Sequence, residues 1–312
     1  MPLRIALFGQ AAFGKDVFDR LRARGHEIAG VFAPPEGRRP DPLAQAAEEA
    51  GVPLLRPRFF RRKTGEAIPA RVEEHAKLGA DLNVLAYVTA FVPVEILEAP
   101  PRASLCFHPS LLPEYRGGSA IPWQIILGAR EAGVTVFRPD SGADTGPVVV
   151  QKGGALIGPE DTAGSLYFRK LYALGVEAMV EAVDRVAGGT AEPEPQDETR
   201  ASFQGLVDDA VARIDWSLPA AELDRLIRGC DPQPGAHALR EGGSEPVRLF
   251  DARLEPGEEA GSAPPGTLLA PREGRFRVAA TGGVISFARA RVGGGAKVGA
   301  AESGLREGER LV

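Results

Sequence analysis

The sequence predicts an α/β protein in which a Rossmann-like, open and mostly parallel sheet is followed by a smaller, mainly β, barrel-like C-terminal domain. Strand-like apolar runs alternate with helix-like segments over residues 1–189, an order typical of a parallel sheet. Short strand-like segments separated by glycine and proline follow over residues 207–312 and are typical of a small barrel or sandwich. Residues 190–206 begin with prolines and acidic side chains, so we expect a linker there. A chain of 312 residues is also long enough for two domains.

Hydrophobic periodicity and helix stop signals place the individual elements. The strands expected in the first domain are 4–9, 27–33, 52–55, 81–88, 103–107, 134–137 and 148–152, with 153–157 pairing nearby. The helices expected there are 16–24, which ends at Gly25, then 43–50, 69–78, 121–127 and a long helix from a cap at Asp161 and Thr162 towards Val186. In the second domain, a helix at 219–227 precedes strands at 247–252, 266–269, 276–279 and 283–291. The opening strand, helix and strand predict a parallel β-α-β unit.

The turn after the first strand resembles two phosphate-binding motifs without completing either. Gly9, Gly14 and Lys15 have the spacing of a P-loop, but Asp16 stands where a serine or threonine hydroxyl must bind magnesium. A carboxylate at that position would repel phosphates. Ala11 replaces the second glycine of the dinucleotide-binding motif. The sequence therefore favours a tight strand-to-helix turn over a nucleotide site.

Composition and charge exclude several classes of protein. The formal net charge of −5 argues against non-specific binding to nucleic acid. No apolar run approaches the roughly 18 residues of a membrane helix, and the N-terminus enters a strand directly, so we expect neither a membrane span nor a signal peptide. With only Cys106 and Cys230, neither a disulfide framework nor a cysteine zinc site is expected. These features predict a protein of the reducing cytoplasm.

A candidate catalytic centre is predicted around residues 106–118. The apolar strand is followed by His108 and a proline-bounded loop that ends at Gly117 and Gly118. Open α/β sheets bind their ligands at the carboxyl ends of the strands, which is where His108 is expected. Asp144 lies in a second glycine-flanked turn. We expect His108 and Asp144 to meet at one pocket and to act on a carbonyl group.

His108 and Asp144 have the chemistry that proton transfer requires. Histidine titrates near neutral pH, and a carboxylate beside it would fix its tautomer and stabilise its charged form. No Gly-x-Ser-x-Gly motif supports a covalent serine route. One histidine and one aspartate are too few ligands for a catalytic zinc, so no metal is expected. The other histidines, His26, His75 and His237, have no polar partner nearby in the sequence and are expected to be structural or at the surface.

Cys106 allows two interpretations. It lies two residues before His108 and therefore shares its face of the strand. It could act as a nucleophile, although a cysteine within an apolar strand is more commonly an inert core residue.

The segment 56–63 is strongly basic, with five basic residues interleaved with Pro57, Phe59 and Phe60. A solvated basic loop is the simpler interpretation of such a run. An anchor for an anionic tail on a substrate is the alternative.

These motifs together resemble those of the folate-dependent formyltransferase family, and the resemblance covers nearly the whole chain. Residues 108–117 read His-Pro-Ser-Leu-Leu-Pro-x-x-Arg-Gly and are combined with Asp144-Thr145-Gly146. Three further motifs resemble the start of the family's C-terminal domain: Asp215-Trp216, Ile227-Arg228-Gly229 and Pro234-Gly235-Ala236.

The resemblance implies that 10-formyltetrahydrofolate is the substrate or formyl donor and that no metal takes part. It implies catalytic roles for His108, Asp144 and the position of Cys106. Folate is then expected to bind at Leu85, Ala86, Tyr87, Val88, Phe91, Arg138, Asp140, Ser141 and Gly142. The substrate loop is expected to comprise Ser110, Leu111, Leu112, Pro113, Arg116 and Gly117.

Within the family, the finer features favour the hydrolase domain of the 10-formyltetrahydrofolate dehydrogenases, which residues 9–14, 41–43, 79–85 and 91–93 resemble. The transferases carry Asn-x-His, whose amide donates to the formyl oxyanion, and this chain has Cys106 at the asparagine position. Losing one such donor costs about 2.7–4 kcal/mol of transition-state stabilisation. The hydrolase domain is likewise expected to lack the asparagine, so hydrolysis to tetrahydrofolate and formate is favoured.

Two alternatives to hydrolysis stay open. One is formyl transfer to an amine, a methionyl-tRNA or a sugar nucleotide, with Arg38, Arg39 and the segment 56–63 binding the acceptor. The other is a folate-binding protein that has lost catalysis.

Overall fold

The computed structural model describes all 312 residues and contains two compact units. The first unit comprises residues 1–118, 133–154 and 171–203, and the second comprises residues 119–132, 155–170 and 204–312. The units therefore interleave along the chain, and the domain division predicted at residues 190–206 stays a prediction.

A seven-stranded sheet forms the centre of the first unit. Its strands are β1 (Arg4–Gly9), β2 (Glu27–Phe32), β3 (Leu54–Leu55), β4 (Leu82–Ala86), β5 (Ala103–His108), β6 (Glu131–Phe137) and β7 (Val148–Leu156). The strand order is β3-β2-β1-β4-β5-β6-β7. The pairs from β3 to β5 are parallel, and β6 runs antiparallel to β5. The predicted Rossmann-like, mostly parallel sheet is confirmed.

Eight α-helices accompany the strands. They are α1 (Ala11–Ala23), α2 (Pro42–Glu49), α3 (Pro69–Leu78), α4 (Val94–Leu97), α5 (Ala120–Ile126), α6 (Ala163–Leu166), α7 (Tyr172–Gly188) and α8 (Ala220–Gly229). None of them combines the length and the apolar character needed to cross a membrane.

The parallel strands bring the predicted functional loops to one edge of the sheet. β1, β4 and β5 are parallel neighbours, so Gly9, Ala86 and His108 all lie at their carboxyl ends. The chain passes from β1 to β2 on one side and later adds β4 on the other, which creates a reversal of strand order beside β1. Ligands of open α/β sheets bind at such a reversal.

The helix α1 begins five residues earlier than predicted, at Ala11 instead of Asp16. The backbone N–H of Ala11 donates to the carboxylate of Asp41 at 2.7 Å, so a side chain from another loop caps the helix. No local pattern around residue 11 indicates this long-range cap. The turn after β1 is therefore tight, and an acidic group lies where a nucleotide phosphate would have to bind.

Two further predictions of local structure were wrong. Residues 148–156 form one strand, β7, and not the two separate segments predicted at 148–152 and 153–157. The long helix predicted after Asp161 is divided into α6, a π-helical turn at Tyr167–Leu171 and α7. Its predicted start is correct, because Thr162 and Ser165 form a reciprocal capping box.

The second unit is built on an antiparallel sheet. Its strands are β8 (Ala236–Leu239), β9 (Pro246–Glu255), β10 (Leu268–Arg272), β11 (Arg275–Ala280), β12 (Gly283–Val292) and β13 (Val298–Gly299). The order is β10-β11-β12-β9-β8, with β13 paired to β12. Residues 311 and 312 hydrogen-bond near both edge strands of this sheet. The N–H of Leu239, at the end of β8, donates to the carbonyl oxygen of Val312, and the N–H of Leu311 donates to the carbonyl oxygen of Gly266, just before β10. This closure agrees with the predicted mainly β, barrel-like domain.

The stability of the first unit should depend on a close approach of α7 to β5. A Cβ atom added at Gly175 would lie 2.5 Å from Cε2 of Phe107 and 2.9 Å from Cε2 of Phe13. In an unconstrained helix, Gly→Ala would stabilise by up to about 1 kcal/mol. We expect Gly175→Ala to lower the free energy of unfolding by about 1–3 kcal/mol instead, because the rings must move. Urea denaturation measures this change, and Glu177→Ala on the exposed face of α7 is the control; stabilisation by Gly175→Ala would contradict the packing.

Candidate active site

His108 lies at the carboxyl end of β5 with its side chain buried, 5% exposed. Its Nε2 lies 2.8 Å from the backbone carbonyl oxygen of Tyr115. A carbonyl oxygen can only accept, so Nε2 carries the hydrogen of this bond. In the neutral ring, Nδ1 is then the unprotonated nitrogen and can accept a proton.

Asp144 is held beside this free nitrogen. Its Oδ2 lies 3.5 Å from His108 Nδ1 and accepts a hydrogen bond from the backbone N–H of Gly117 at 2.8 Å. Asp144 has a left-handed φ of 59°, a conformation that side chains other than glycine adopt at a cost. The structure thus brings together His108 and Asp144, and the loop at 115–117 contacts both.

Burial determines the resting charge of His108. Desolvation of the charged ring lowers the pKa of His108 below the usual histidine value, while the Asp144 carboxylate and the bond to Tyr115 oppose this shift. The neutral ring is therefore favoured at neutral pH. Its Nδ1 lone pair faces the carboxylate, and protonation of Nδ1 would create a close ion pair.

Cys106 belongs to the same cluster. It is half-buried, and its thiol has only a weak contact, 3.8 Å, with the Phe107 carbonyl oxygen. Burial, with a smaller contribution from the nearby Asp144 carboxylate, raises the pKa of the Cys106 thiol. A thiol that stays protonated is a poor nucleophile, so the geometry favours the inert interpretation.

The segment that the sequence predicts to be a linker supplies further contacts to these loops. The Gln196 side-chain amide donates to the carbonyl oxygens of Asp144 and Gly146 at 2.8 and 2.7 Å. Its Oε1 accepts from Arg116, which also pairs with Glu198 at 2.6 Å. Arg116 itself is only 7% exposed. Sequence reasoning missed Gln196, because nothing near it in the chain indicates a contact with residues 50 positions away.

A second set of hydrogen bonds holds the predicted substrate loop. Ser110 Oγ donates to Glu114 O at 2.6 Å, and Thr135 Oγ1 donates to Ser110 O at 2.7 Å. Leu112 N–H donates to Thr135 Oγ1 at 3.1 Å, while Gln151 donates to Leu112 O at 2.9 Å. Ser110, Leu112 and the neighbouring Pro113 are buried and Leu111 is half-buried, so these four residues shape the loop from within.

The predicted folate-binding residues divide into buried and accessible ones. Leu85 and Ala86 are buried, so only their backbone could face a ligand. Tyr87 and Phe91 are exposed, and Val88 is half-buried between them. In the loop after β6, Asp140, Ser141 and Gly142 are exposed and Arg138 is half-buried. Asp140 Oδ1 accepts from Gly142 N–H at 2.9 Å and from Thr145 Oγ1 at 2.6 Å, which orders the loop that carries Asp144.

Two of the other histidines have structural contacts. His26 Nδ1 accepts from Leu3 N–H at 3.1 Å, and His75 Nε2 lies 2.7 Å from Asn83 Oδ1. Burial lowers the pKa of His26, His75 and His237. No three His, Cys, Asp or Glu side chains are grouped so that they could hold a metal ion.

A buried histidine whose free nitrogen faces a carboxylate lies at the carboxyl edge of a Rossmann-like sheet, the edge at which α/β proteins of this class bind their ligands. Comparison with protein-family models makes this more specific. Residues 3–183 match the family described as Formyl transferase, and residues 207–304 match the family described as Formyl transferase, C-terminal domain. The chain belongs to the formyltransferase family, as its sequence motifs predict.

Two relatives of known sequence differ in how much of them the chain covers. The mitochondrial 10-formyltetrahydrofolate dehydrogenase of Mus musculus is 43% identical over 238 residues, which are 76% of this chain but only 26% of that protein. The chain therefore spans about a quarter of the length of that dehydrogenase. The methionyl-tRNA formyltransferase of Dinoroseobacter shibae is 38% identical over 307 residues, which are 96% of each chain.

Among solved structures, an N-formyltransferase from Helicobacter canadensis in complex with folinic acid and dTDP-3-aminofucose has the same fold. Its TM-score is 0.70 at 18% identity, over 96% of this chain and 100% of that one.

The electrostatic contact between Asp144 and His108 can be measured directly. Since the Asp144 carboxylate raises the pKa of His108 against the effect of burial, Asp144→Asn should lower that pKa further. NMR titration of ring-labelled histidine measures the change. The pKa values of His26, His75 and His237 serve as internal controls and should stay the same. An unchanged or raised pKa for His108 would contradict the pairing.

Proposed function

We propose that the protein hydrolyses 10-formyltetrahydrofolate to tetrahydrofolate and formate, with His108 as the proton-transfer group and Asp144 as its partner. The family membership supports chemistry on a formyl group, and the 43% identical dehydrogenase supports a folate carrier. The aldehyde-oxidising reaction of a whole dehydrogenase is not proposed, because the chain matches only 26% of that protein.

The folate would bind at the carboxyl edge of the sheet. Its pteridine would lie between the loop after β4, with the exposed Tyr87 and Phe91, and the loop at 138–142. Backbone groups and aromatic faces are the usual lining of such sites. This position would bring the 10-formyl group to the end of β5, beside His108.

One observation supports water as the group that receives the formyl: a thiol, that of Cys106, lies beside two side-chain atoms that can accept hydrogen bonds. His108 Nδ1 and Asp144 Oδ2, 3.5 Å apart, can both accept from one water molecule. That water would donate both of its hydrogens and keep its lone pairs for the formyl carbon. An asparagine amide at position 106 would add a donor that competes for those lone pairs, whereas the thiol offers only a weak one.

The proton transfers follow from the free Nδ1. As the water oxygen attacks the formyl carbon, Nδ1 takes one of its protons, and the Asp144 carboxylate stabilises the resulting imidazolium. The tetrahedral intermediate then breaks its carbon–nitrogen bond, and Nδ1 returns the proton to the leaving N10 atom. Tetrahydrofolate and formic acid are the products, and formic acid releases its proton to solvent.

Formyl transfer to an amine is the second candidate. It is favoured by the methionyl-tRNA formyltransferase that matches 96% of this chain and is itself matched over 96% of its length. The same His108–Asp144 pair would take the proton from an attacking amine. A sugar-nucleotide amine is a further acceptor of this class, because the Helicobacter canadensis enzyme of the same fold was solved with dTDP-3-aminofucose.

Removal of the proton acceptor tests the role of His108. We expect His108→Gln to reduce formate release from 10-formyltetrahydrofolate by about 10²–10⁴-fold, because glutamine cannot take up the proton. The assay follows formate without any acceptor, and then with methionyl-tRNA or an amino-sugar nucleotide added. His237→Gln, in the second unit, is the control and should retain wild-type turnover. If His108→Gln retained wild-type turnover, the proposal would be refuted. If the wild-type protein turned over only with an added acceptor, it would be a transferase instead.

Position 106 can be tested independently by restoring the amide. Cys106→Asn adds an oxyanion donor worth up to about 10²–10³-fold to formyl transfer and to hydrolysis alike. Its amide also competes for the lone pairs of an attacking water, so acceptor-dependent transfer should increase more than hydrolysis. The ratio of transfer to hydrolysis is the quantity to compare. The turnover of Cys106→Ala, which also lacks an amide donor at this position, should stay within a few-fold of the wild-type turnover. If Cys106→Ala abolished turnover, the thiol would be a reactive group and the proposed mechanism would be wrong.

A further inference from the structure

Gln196 joins two loops of the candidate active site through one side-chain amide. Its Nε2 donates to the backbone carbonyl oxygens of Asp144 and Gly146 at 2.8 and 2.7 Å. Its Oε1 accepts from Nε and Nη2 of Arg116 at 3.2 and 2.8 Å. A side-chain amide offers two N–H donors and a carbonyl acceptor, whereas a glutamate carboxylate has no N–H and a lysine ammonium has no acceptor. The two sets of bonds therefore require an amide at this position.

The turn that Gln196 contacts has a conformation that needs support. Asp144 has a left-handed φ of 59°, which a residue with a side chain keeps only where its surroundings hold it. The end of β6 supports the turn by close contact, because a Cβ atom added at Gly146 would lie 1.8 Å from the carbonyl oxygen of Arg138. Gln196 supplies a second support, since it bonds to both carbonyl oxygens of the turn.

The bonds of Gln196 close a ring around the Asp144 carboxylate. Asp144 Oδ2 accepts from Gly117 N–H at 2.8 Å and lies 3.5 Å from His108 Nδ1. Gly117 follows Arg116 in the chain, Arg116 donates to Gln196, and Gln196 donates to the carbonyl oxygen of Asp144. The carboxylate is thus fixed from its own backbone and from the loop that it contacts. Its distance from His108 depends on Gln196 at both points.

Backbone bonds attach the segment around Gln196 without help from its side chain. Glu194 and Val148 exchange two backbone hydrogen bonds of 2.8 Å each. Further along, the carbonyl oxygen of Ser202 accepts from Arg116 N–H at 2.9 Å. These contacts hold the segment on either side of residue 196 for any side chain at that position. The half-buried amide of Gln196 therefore serves the loops of the site and not the attachment of the segment.

We propose that Gln196 is a positioning residue that acts through Asp144 on proton transfer at His108. The proposal rests on the proposed function, in which His108 takes up the proton and Asp144 stabilises the charged ring. Without the amide, the left-handed turn loses one of its supports, and the carboxylate no longer keeps its 3.5 Å distance from Nδ1. A displacement of about 1 Å in such an arrangement can reduce a rate by about 10²-fold.

Replacement of the amide by a neutral side chain of similar length tests this role. Gln196→Met removes both N–H donors and brings no charge. We expect kcat for formate release to fall by about 10–100-fold, with KM for 10-formyltetrahydrofolate within a few-fold of the wild-type value. NMR titration should show a lower pKa for His108, because burial lowers this pKa and the Asp144 carboxylate opposes the shift. A wild-type kcat or an unchanged pKa of His108 would overturn the proposal.

A double-mutant cycle shows whether the effect passes through Asp144. Gln196→Met should lower the pKa of His108 in the wild-type background and leave it unchanged in the Asp144→Asn background, because the carboxylate that the amide positions is then absent. An equal shift in both backgrounds would mean that Gln196 acts on His108 by another route. The proposal would then be wrong.

The matched control is Gln45→Met, the same substitution at an exposed position of α2, which should keep the wild-type kcat and His108 pKa. Thermal unfolding establishes that each variant is folded. If Gln196→Met does not fold, Gln196→Glu replaces it, because the carboxylate still accepts from Arg116 but cannot donate to the turn. A wild-type kcat in Gln196→Glu would then contradict the proposal.

The titration of His108 needs no substrate, so it separates the two proposals. If the wild-type protein releases no formate, the proposed function is overturned. The pKa of His108 in Gln196→Met and in the double-mutant cycle still decides whether Gln196 positions Asp144.

Discussion

The hydrogen bond from His108 Nε2 to the Tyr115 carbonyl determines what the candidate site can do. It commits one ring nitrogen as a donor within the protein, so every change of protonation must occur at Nδ1. Burial favours the neutral ring, and Asp144 is placed where it can stabilise the charged one. A strand-end histidine without the Tyr115 contact could adopt either tautomer, and its proton transfer would have no defined direction.

The segment at 194–202 makes that arrangement rigid. It bonds to the loop at 115–117 through Ser202, whose Oγ accepts from Tyr115 N–H at 2.8 Å, and to the Asp144 loop through Gln196. Arg116 connects the loop at 115–117 to the segment at 194–202, because its buried guanidinium bonds to both Gln196 and Glu198. A buried cation is stable only with such partners, so the loops are fixed relative to each other before any substrate binds.

The features of the fold and of the candidate site that could be predicted are those encoded by a few consecutive residues. The apolar strand before His108, the glycine-flanked turn at Asp144 and the capping residue Thr162 each carry a local signal. The parts it missed depend on partners far along the chain. Asp41 caps α1 from another loop, and Gln196 reaches residues near Asp144 and so turns a predicted linker into a support of the site. Neither pairing follows from periodicity or turn chemistry.

In the proposed reaction, Cys106 matters because it does not supply the amide donor that an asparagine would. Hydrolysis and amine transfer pass through the same kind of tetrahedral oxyanion, so a missing amide donor slows both by a comparable factor. The loss alone therefore cannot select the acceptor. Selection must arise earlier, when the nucleophile is positioned, and His108 Nδ1 and Asp144 Oδ2 supply two acceptors 3.5 Å apart for that step. Two adjacent acceptors orient a molecule that has two hydrogens to donate and a lone pair to spare. Water and a primary amine both meet that requirement, but water meets it without needing any further surface to bind it.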